Sequence, residues 1–172
     1  MSRATGTSVR DALSLTDPGH LLALGLGTGL LPRAPGTWGS LLAIPVFFML
    51  HPFGPVIYVA AVTVLFVLGI YLCGRTARAL GVHDHGAIVI DEVVGMLVTW
   101  VAAGPGWFTV VAGFVLFRFF DIVKPWPIRR IDREVAGGMG IMLDDLLAGL
   151  MAAAVLQALL QVAPAALAVI GA

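Results

Sequence analysis

Charged residues in this chain are confined to a few islands that separate long uncharged runs. The longest run, residues 34–74, is divided near its middle by segment 51–55, whose prolines and glycine are typical of a turn. Of its two halves, 56–73 is long enough for a membrane-spanning helix, while 38–50 is marginal. The pattern therefore predicts a helical hairpin over this run.

A second hairpin is predicted further along the chain. Residues 87–103 and 107–120 form its arms, and the Gly-Pro-Gly sequence at 104–106 forms its turn. A last apolar helix is predicted to start near Met139 and to continue through 146–162.

These elements predict an all-α fold, a polytopic membrane protein of four to five short apolar helices arranged as hairpins. Residues 20–31 are apolar but too short to span a bilayer, and three glycines weaken a helix there. Since no repeat interrupts the pattern, a single membrane-embedded domain is predicted over 19–172, after a polar leader at 1–18.

Composition supports the membrane assignment. The chain is 59% hydrophobic and 12% charged, whereas soluble domains carry roughly 25% charged residues. Its formal net charge is +0 and no Lys/Arg-rich run occurs, so nucleic acid is not expected as a partner. The sequence leaves homo-oligomer formation open.

The distribution of basic residues predicts the orientation. None occurs at turns 51–55 and 104–106 or after residue 162. Beyond the leader, they are Arg33, Arg75, Arg78, Arg118, Lys124, Arg129, Arg130 and Arg133. The positive-inside rule assigns the basic loops to the cytoplasm, so every candidate catalytic residue is expected at the cytoplasmic face.

The first candidate group combines Asp84 and His85 with Asp91 and Glu92. In a helix that begins near residue 87, the two adjacent acids point about 100° apart, so one can face the bundle interior. Gly95 shares a face with Asp91 and would leave an open approach to its carboxylate. The structural alternative is that these acids only cap a turn or a helix start.

The second group is Arg118, Asp121 and Lys124, whose spacing of three predicts alternating charges along one helical face. As a functional site, Asp121 would bind a metal while the two cations hold phosphate oxygens. As a structural feature, the same residues form an ion pair at a helix end beside an interfacial tryptophan.

Two glycine-rich segments complete the set. Asp144 and Asp145 follow glycines at 137–140, which would let backbone approach a ligand, and paired acids suit a hard divalent cation. Arg33, Thr37 and Ser40 lie near a predicted helix start and offer the components of an anion site, but the ending of a nucleotide P-loop is missing.

Together these groups offer oxygen ligands without a thiolate cluster, which favours Mg²⁺ over Zn²⁺. The metal-ligand candidates are Asp91, Glu92, Asp121, Asp144 and Asp145. Mg²⁺ beside arginine and lysine indicates phosphoryl chemistry, because both stabilise charge on phosphate oxygens as water attacks. An aspartyl-phosphate intermediate is less favoured, because its usual D-x-D-x-T/V motif is absent.

Four segments carry a resemblance to the phosphatidylglycerophosphatase A family. They are 35–40 (PGTWGS), 84–95 with Asp91-Glu92-Val93-Val94-Gly95, 117–127 with Asp121 and Lys124-Pro125-Trp126-Pro127, and 137–145 with Asp144-Asp145. The resemblance implies a Mg²⁺-dependent enzyme of the bacterial cytoplasmic (inner) membrane. It would hydrolyse phosphatidylglycerophosphate to phosphatidylglycerol and phosphate, with membrane lipids as its surroundings.

Three other interpretations remain. An ion or proton transporter also carries intramembrane carboxylates, but this chain has none near the opposite face. A CDP-alcohol phosphatidyltransferase would need a D-x-x-D-G-x-x-A-R string that does not occur. A scaffold would leave the acids solvated.

Cys73 is not predicted to be a phosphatase nucleophile. The phosphate loop of such an enzyme requires an arginine six positions after the cysteine, and that position is Ala79.

Overall fold

The computed structural model describes residue 9 and residues 13–82 and 84–170, with side chains as far as residue 162. Most of the predicted leader at 1–18 therefore lies outside the described residues. Seven α-helices occur within them and no strand, which confirms the all-α prediction. The helices are α1 Pro18–Ala23, α2 Pro35–Leu50, α3 Gly54–Leu80, α4 Ile90–Thr99, α5 Trp107–Val123, α6 Ile128–Glu134 and α7 Gly137–Ile170.

The chain turns between α2 and α3 where the sequence predicts it. A short 3₁₀ helix, His51–Phe53, follows α2, and Gly54 then adopts a φ of 82°, which favours glycine. Another 3₁₀ segment, Gly25–Leu30, occupies the short apolar stretch that was predicted not to span.

Helix α4 is much shorter than its predicted arm at 87–103. Before it begins, the Val89 amide donates to the Ala23 carbonyl and the Ile88 amide to the His85 carbonyl, so these amides serve tertiary and turn contacts. Helix α4 thus has only ten residues, and Asp91 and Glu92 lie in its first turn. The expectation that they lie about one turn into the helix was wrong.

Helices α2 and α4 run in the same direction, side by side. At one end Gly36 lies against Glu92, and at the other the rings of Phe47 and Trp100 have centroids 5.0 Å apart. Helix α5 returns from that second end, where Gly113 packs against Trp100. One end of the bundle therefore collects the starts of α2 and α4 and the end of α5.

The centre of the bundle is the contact between α4 and α7. Every residue of α4 except Glu92 is buried, as expected for a helix that is apolar on nearly all sides. A Cβ on Gly149 would lie 2.4 Å from the carbonyl oxygen of Gly95, so the two backbones meet without side chains between them. Because Asp91 and Asp145 each precede these glycines by four residues, the crossing brings the two acids together.

Two helical stretches are long and apolar enough to cross a membrane, Pro35–Leu80 and Gly137–Val162. Helix α3 also exposes large apolar side chains along its length, among them Val56, Val64 and Val67. Water would solvate such a surface poorly, whereas lipid covers it at no cost.

Helix α1 is attached to the last turns of α3. His20 is buried with its Nδ1 3.0 Å from the hydroxyl of Thr76. Asp17 caps α1 through the Gly19 amide, and Arg75 donates to the same carboxylate at 3.0 Å. The Arg75 hydrogen bonds lower the pKa of the Asp17 carboxyl to about 2, so this attachment persists well into the acidic range.

The close crossing can be tested by replacing Gly149 with alanine. Although alanine favours a helix by about 1 kcal/mol, its Cβ would force the backbones of α4 and α7 apart. We expect a net destabilisation of about 1–3 kcal/mol, measured by thermal unfolding of the detergent-solubilised protein. The matched control is Gly104→Ala, whose Cβ meets nothing within 4 Å. Equal stability of the two variants would contradict the crossing.

Candidate functional site

Three carboxylates form the core of the candidate site. One oxygen from each of Asp91, Glu92 and Asp145 lies within 4.8 Å of the others. The first two come from the first turn of α4, and Asp145 comes from α7, eight residues after its start. At 1.5 Å per residue this is about 12 Å along the α7 axis, so the cluster is recessed from the end of that helix.

The acids of this cluster lack partners that would normally compensate buried oxygens. Asp91 Oδ1, Glu92 Oε2 and Asp145 Oδ2 are buried and accept no hydrogen bond from the residues that the structure describes, and neither does Asp144 Oδ1. Buried polar atoms are almost always satisfied, and buried like charges repel one another. A bound cation would resolve both problems, and oxygen-only donors suit a hard divalent ion.

Asp121 lies beside this core with a cation of its own. It occupies the last turn of α5, where Arg118 Nη1 donates to its Oδ2 over 2.6 Å. Its carboxyl also lies close enough to that of Asp145 for their charges to interact. Asp121 therefore joins the acid cluster to a guanidinium, as the spacing of three predicts.

The start of α2 closes the cluster on another side. A Cβ on Gly36 would lie 2.2 Å from Glu92 Oε1 and 3.1 Å from Arg118 Nη1. Only glycine leaves room for both side chains at this position, so Gly36 shapes the site although it contributes no ligand. This role was not predicted from the sequence, because the segment that contains Gly36 is equally compatible with a simple turn.

Lys124 does not continue the predicted ladder of charges along α5. Its φ of 43° ends the helix and directs the ammonium to α6 and α7, where it donates to Asp132 at 2.7 Å and to Asp144 at 2.6 Å. Burial opposes its charge, but these two carboxylates outweigh that effect and raise the pKa of Lys124 above its ordinary value.

Asp132 was not identified from the sequence. Asp132 lies in a segment with three arginines, Arg129, Arg130 and Arg133, and such a composition is typical of a solvated surface. A one-turn period from Ile128, which is buried, would have indicated that residues 131 and 132 lie near the inner side of the helix.

The other predicted site residues form no side-chain hydrogen bond or salt bridge with the carboxylate cluster in the part of the chain that the structure describes. Arg33 is exposed and forms no salt bridge with the residues that the structure describes. The Ser40 hydroxyl donates to the Gly36 carbonyl at 2.8 Å, so its proton supports the first turn of α2. Thr37 lies in the same turn and its amide donates to the Ala34 carbonyl.

Asp84 and His85 precede α4 on the loop that enters the bundle. Asp84 is exposed and His85 is half-buried. The Nδ1 of His85 accepts a hydrogen bond from the Ala87 amide at 3.1 Å, which stabilises the turn. This bond leaves Nε2 as the ring nitrogen that His85 can offer to another group.

Gly95 and Gly138 contact protein rather than leaving space for a ligand. A Cβ on Gly95 would lie 2.5 Å from Phe117 Cε2, and one on Gly138 would lie 1.9 Å from the Ile70 carbonyl oxygen. The predicted open approach beside Gly95 was therefore wrong, because α5 and α7 fill it. Gly138 allows α7 to pack closely on α3, and a Cβ on Gly140 would meet the Val135 carbonyl oxygen.

Comparisons with known proteins agree on one family. The family model described as phosphatidylglycerophosphatase A matches residues 21–160. The chain is 49% identical over 148 residues to phosphatidylglycerophosphatase A of Escherichia coli (strain K12), covering 86% of each protein. It is 48% identical over 150 residues to phosphatidylglycerophosphatase A of Haemophilus influenzae, covering 86% of this chain and 91% of that protein.

A third relative carries a different name. The chain is 40% identical over 139 residues to a putative phosphatidylinositol-3-phosphatase of Bacteroides thetaiotaomicron, covering 75% of this chain and 85% of that protein. No solved structure matches the chain.

A double-mutant cycle tests the arrangement around Lys124. Lys124→Met combined with Asp144→Asn should show a larger coupling energy than Lys124→Met with Asp132→Asn. The reason is burial, since the Asp144 side chain is 7% exposed and that of Asp132 is 37% exposed. We expect about 2 kcal/mol for the buried pair and under about 1 kcal/mol for the other, by thermal unfolding. A larger coupling energy for the pair Lys124 and Asp132 would show that Asp132 is the main partner of Lys124.

Proposed function

The chain belongs to the phosphatidylglycerophosphatase A family, and from that premise we propose that it hydrolyses phosphatidylglycerophosphate to phosphatidylglycerol and inorganic phosphate. As a member of the family it is a hydrolase of a phosphomonoester. The structural observation that supports the proposal most directly is the carboxylate cluster of Asp91, Glu92 and Asp145 with cationic side chains beside it.

We further propose Mg²⁺ as the cofactor. Asp91, Glu92 and Asp145 would hold it, because each has a buried oxygen without a hydrogen bond among the described residues and offers the hard ligand that Mg²⁺ prefers. When bound, the ion supplies positive charge that polarises a phosphoryl oxygen. Asp121 and Asp144, also predicted as ligands, are already paired with Arg118 and Lys124, so they belong to the surrounding layer.

The chain's own residues account for the remaining tasks. Arg118 and Lys124 are paired with Asp121 and Asp144 beside the cluster, and they would offset charge that develops on the phosphate oxygens. Water attacks phosphorus, the bond between phosphorus and the glycerol oxygen breaks, and that oxygen leaves with a proton. A carboxylate at the cluster takes a proton from the attacking water and passes it to the leaving glycerol oxygen, so that phosphate and the alcohol are released. Burial among apolar helices keeps other water away.

The lipid substrate fits a protein of the bacterial inner membrane, which the bacterial relatives and the two apolar stretches support. In this proposal α3 and α7 cross the bilayer, and α2 and α5 add shorter crossings. Helix α4, with ten residues, is about 15 Å long and crosses only part of it, enclosed by the others. The basic residues put the cluster at the cytoplasmic side.

The family match does not favour a transporter or a CDP-alcohol phosphatidyltransferase. In addition, the described carboxylates of α4, α5 and α7 gather at one end of the bundle rather than along a path through it. The name of the Bacteroides relative suggests testing other lipid phosphates beside phosphatidylglycerophosphate as substrates.

Asp91→Asn, Glu92→Gln and Asp145→Asn should each lower phosphate release from phosphatidylglycerophosphate by about 100-fold or more in Mg²⁺. Without a divalent cation, the same changes should raise the melting temperature, because they relieve repulsion between buried acids. Mg²⁺ should stabilise the wild type and have little effect on the variants. A chelator should abolish wild-type activity.

The control for these variants is Asp17→Asn, which removes a carboxylate that is paired with Arg75 outside the cluster. It should retain near wild-type phosphate release at neutral pH. If Asp91→Asn, Glu92→Gln and Asp145→Asn all keep near wild-type rates in Mg²⁺, the proposed site is wrong.

Gly36→Ala tests the shape of the site without removing a charge. Its Cβ would displace the end of the flexible Glu92 side chain, so we expect a stability loss under about 1 kcal/mol but a tenfold or greater loss of activity, of the kind a 1 Å misplacement causes. The Mg²⁺ concentration for half-maximal activity should rise. An unchanged Mg²⁺ requirement would argue against Glu92 as a ligand.

A further inference from the structure

Helix α6 has two chemically different sides. Asp132 faces inward and accepts from Lys124, and Ile128 is fully buried against the bundle. Arg129, Arg130 and Arg133 are exposed on the rest of the helix. The inward side belongs to the surroundings of the candidate site, but the arginine side has no part in the proposed reaction.

A hollow of about 390 Å³ lies between these arginines and the end of α5. Its lining includes Val123, Trp126, the three arginines and Glu134. Three guanidinium groups against one carboxylate give the hollow a net positive charge. It is therefore complementary to an anion that reaches this surface.

The guanidinium groups keep donors available for such an anion. Arg130 is paired with Glu134, with Nε at 2.9 and 3.1 Å from its two oxygens, and Arg129 Nη2 donates to the Val123 carbonyl at 3.2 Å. Arg133 forms no salt bridge among the described residues. Since each guanidinium has five N–H donors, most of them remain for a ligand.

The apolar surface beside the hollow indicates what kind of anion it is. Trp126 is 78% exposed and Ile122 is 69% exposed, and Phe119 continues the same surface along α5. A basic hollow bordered by an exposed tryptophan and aliphatic side chains is typical of the boundary between lipid headgroups and acyl chains. A free anion or an acidic protein would not account for the apolar strip.

We propose that this hollow binds the headgroup of an anionic phospholipid, at a site separate from the carboxylate cluster. The phosphate lies among Arg129, Arg130 and Arg133, and the acyl chains follow Trp126 and Ile122 along α5. The site selects anionic over zwitterionic lipid and fixes α6 at the membrane surface. It goes beyond the proposed hydrolysis and does not depend on it.

The test uses the full chain in nanodiscs that contain small amounts of brominated lipid, which quenches tryptophan fluorescence on contact. The chain has four tryptophans, so the signal of Trp126 is obtained by subtracting that of Trp126→Phe. Brominated phosphatidylglycerol should be preferred over brominated phosphatidylcholine at Trp126 by about tenfold or more. Replacing Arg129, Arg130 and Arg133 together by Gln should reduce the preference to within about twofold of unity.

Two matched variants separate charge from other effects. Replacing the same arginines by Lys keeps the charge and should keep most of the preference, while Glu134→Gln removes the opposing carboxylate and should increase it. Arg78→Gln removes an exposed arginine of α3 and should change nothing. Phosphate release, measured alongside, reports on the catalytic site separately.

Three outcomes would overturn the proposal. The first is a wild-type protein that shows no preference between the two brominated lipids. The second is a preference that survives the triple Gln replacement, which would locate the contact elsewhere. The third is a preference that inorganic phosphate abolishes when a neutral salt of equal ionic strength does not, because the hollow would then recognise a free anion instead of a lipid.

Discussion

The backbone contact between α4 and α7 at Gly95 and Gly149 determines much of this structure. Because neither residue has a side chain, the helices approach until a Cβ on Gly149 would meet the Gly95 carbonyl at 2.4 Å. One turn earlier on each helix, Asp91 and Asp145 are forced into the same small volume. In an apolar bundle this proximity is costly, so the contact creates the need for a cation that the proposed chemistry uses.

Charge compensation divides the acids of the site into two layers. Asp121 and Asp144 are each bonded to a cation of the protein, Arg118 and Lys124. Within the described part of the chain, the cluster formed by Asp91, Glu92 and Asp145 forms no salt bridge, and one oxygen of each acid has no hydrogen bond. The paired layer can hold its geometry without a ligand, whereas the inner cluster would be completed by the Mg²⁺ ion that we propose.

The sequence predicted the helical class, the turn at 51–55 and the acids that gather at the site, since charge and turn residues act locally. It did not predict where α4 begins, because the amides of Ile88 and Val89 are satisfied by contacts with distant or turn residues. It also misjudged Gly95 and Lys124. A glycine leaves room equally for a ligand or for a neighbouring helix, and the sequence does not distinguish the two. The left-handed backbone conformation of Lys124 turned its side chain away from the expected helical face.

The sequence by itself determined that carboxylates and cations lie beside apolar helices, because burial of uncharged runs leaves charged islands only at their ends. Its motifs also identified the family. Only the tertiary structure decided which acids meet, which cations they hold, and that Asp132 and Gly36 belong to the site's surroundings. The physical reason is that side-chain partners across a bundle depend on helix crossings and helix ends, which are set by packing between residues far apart in the chain.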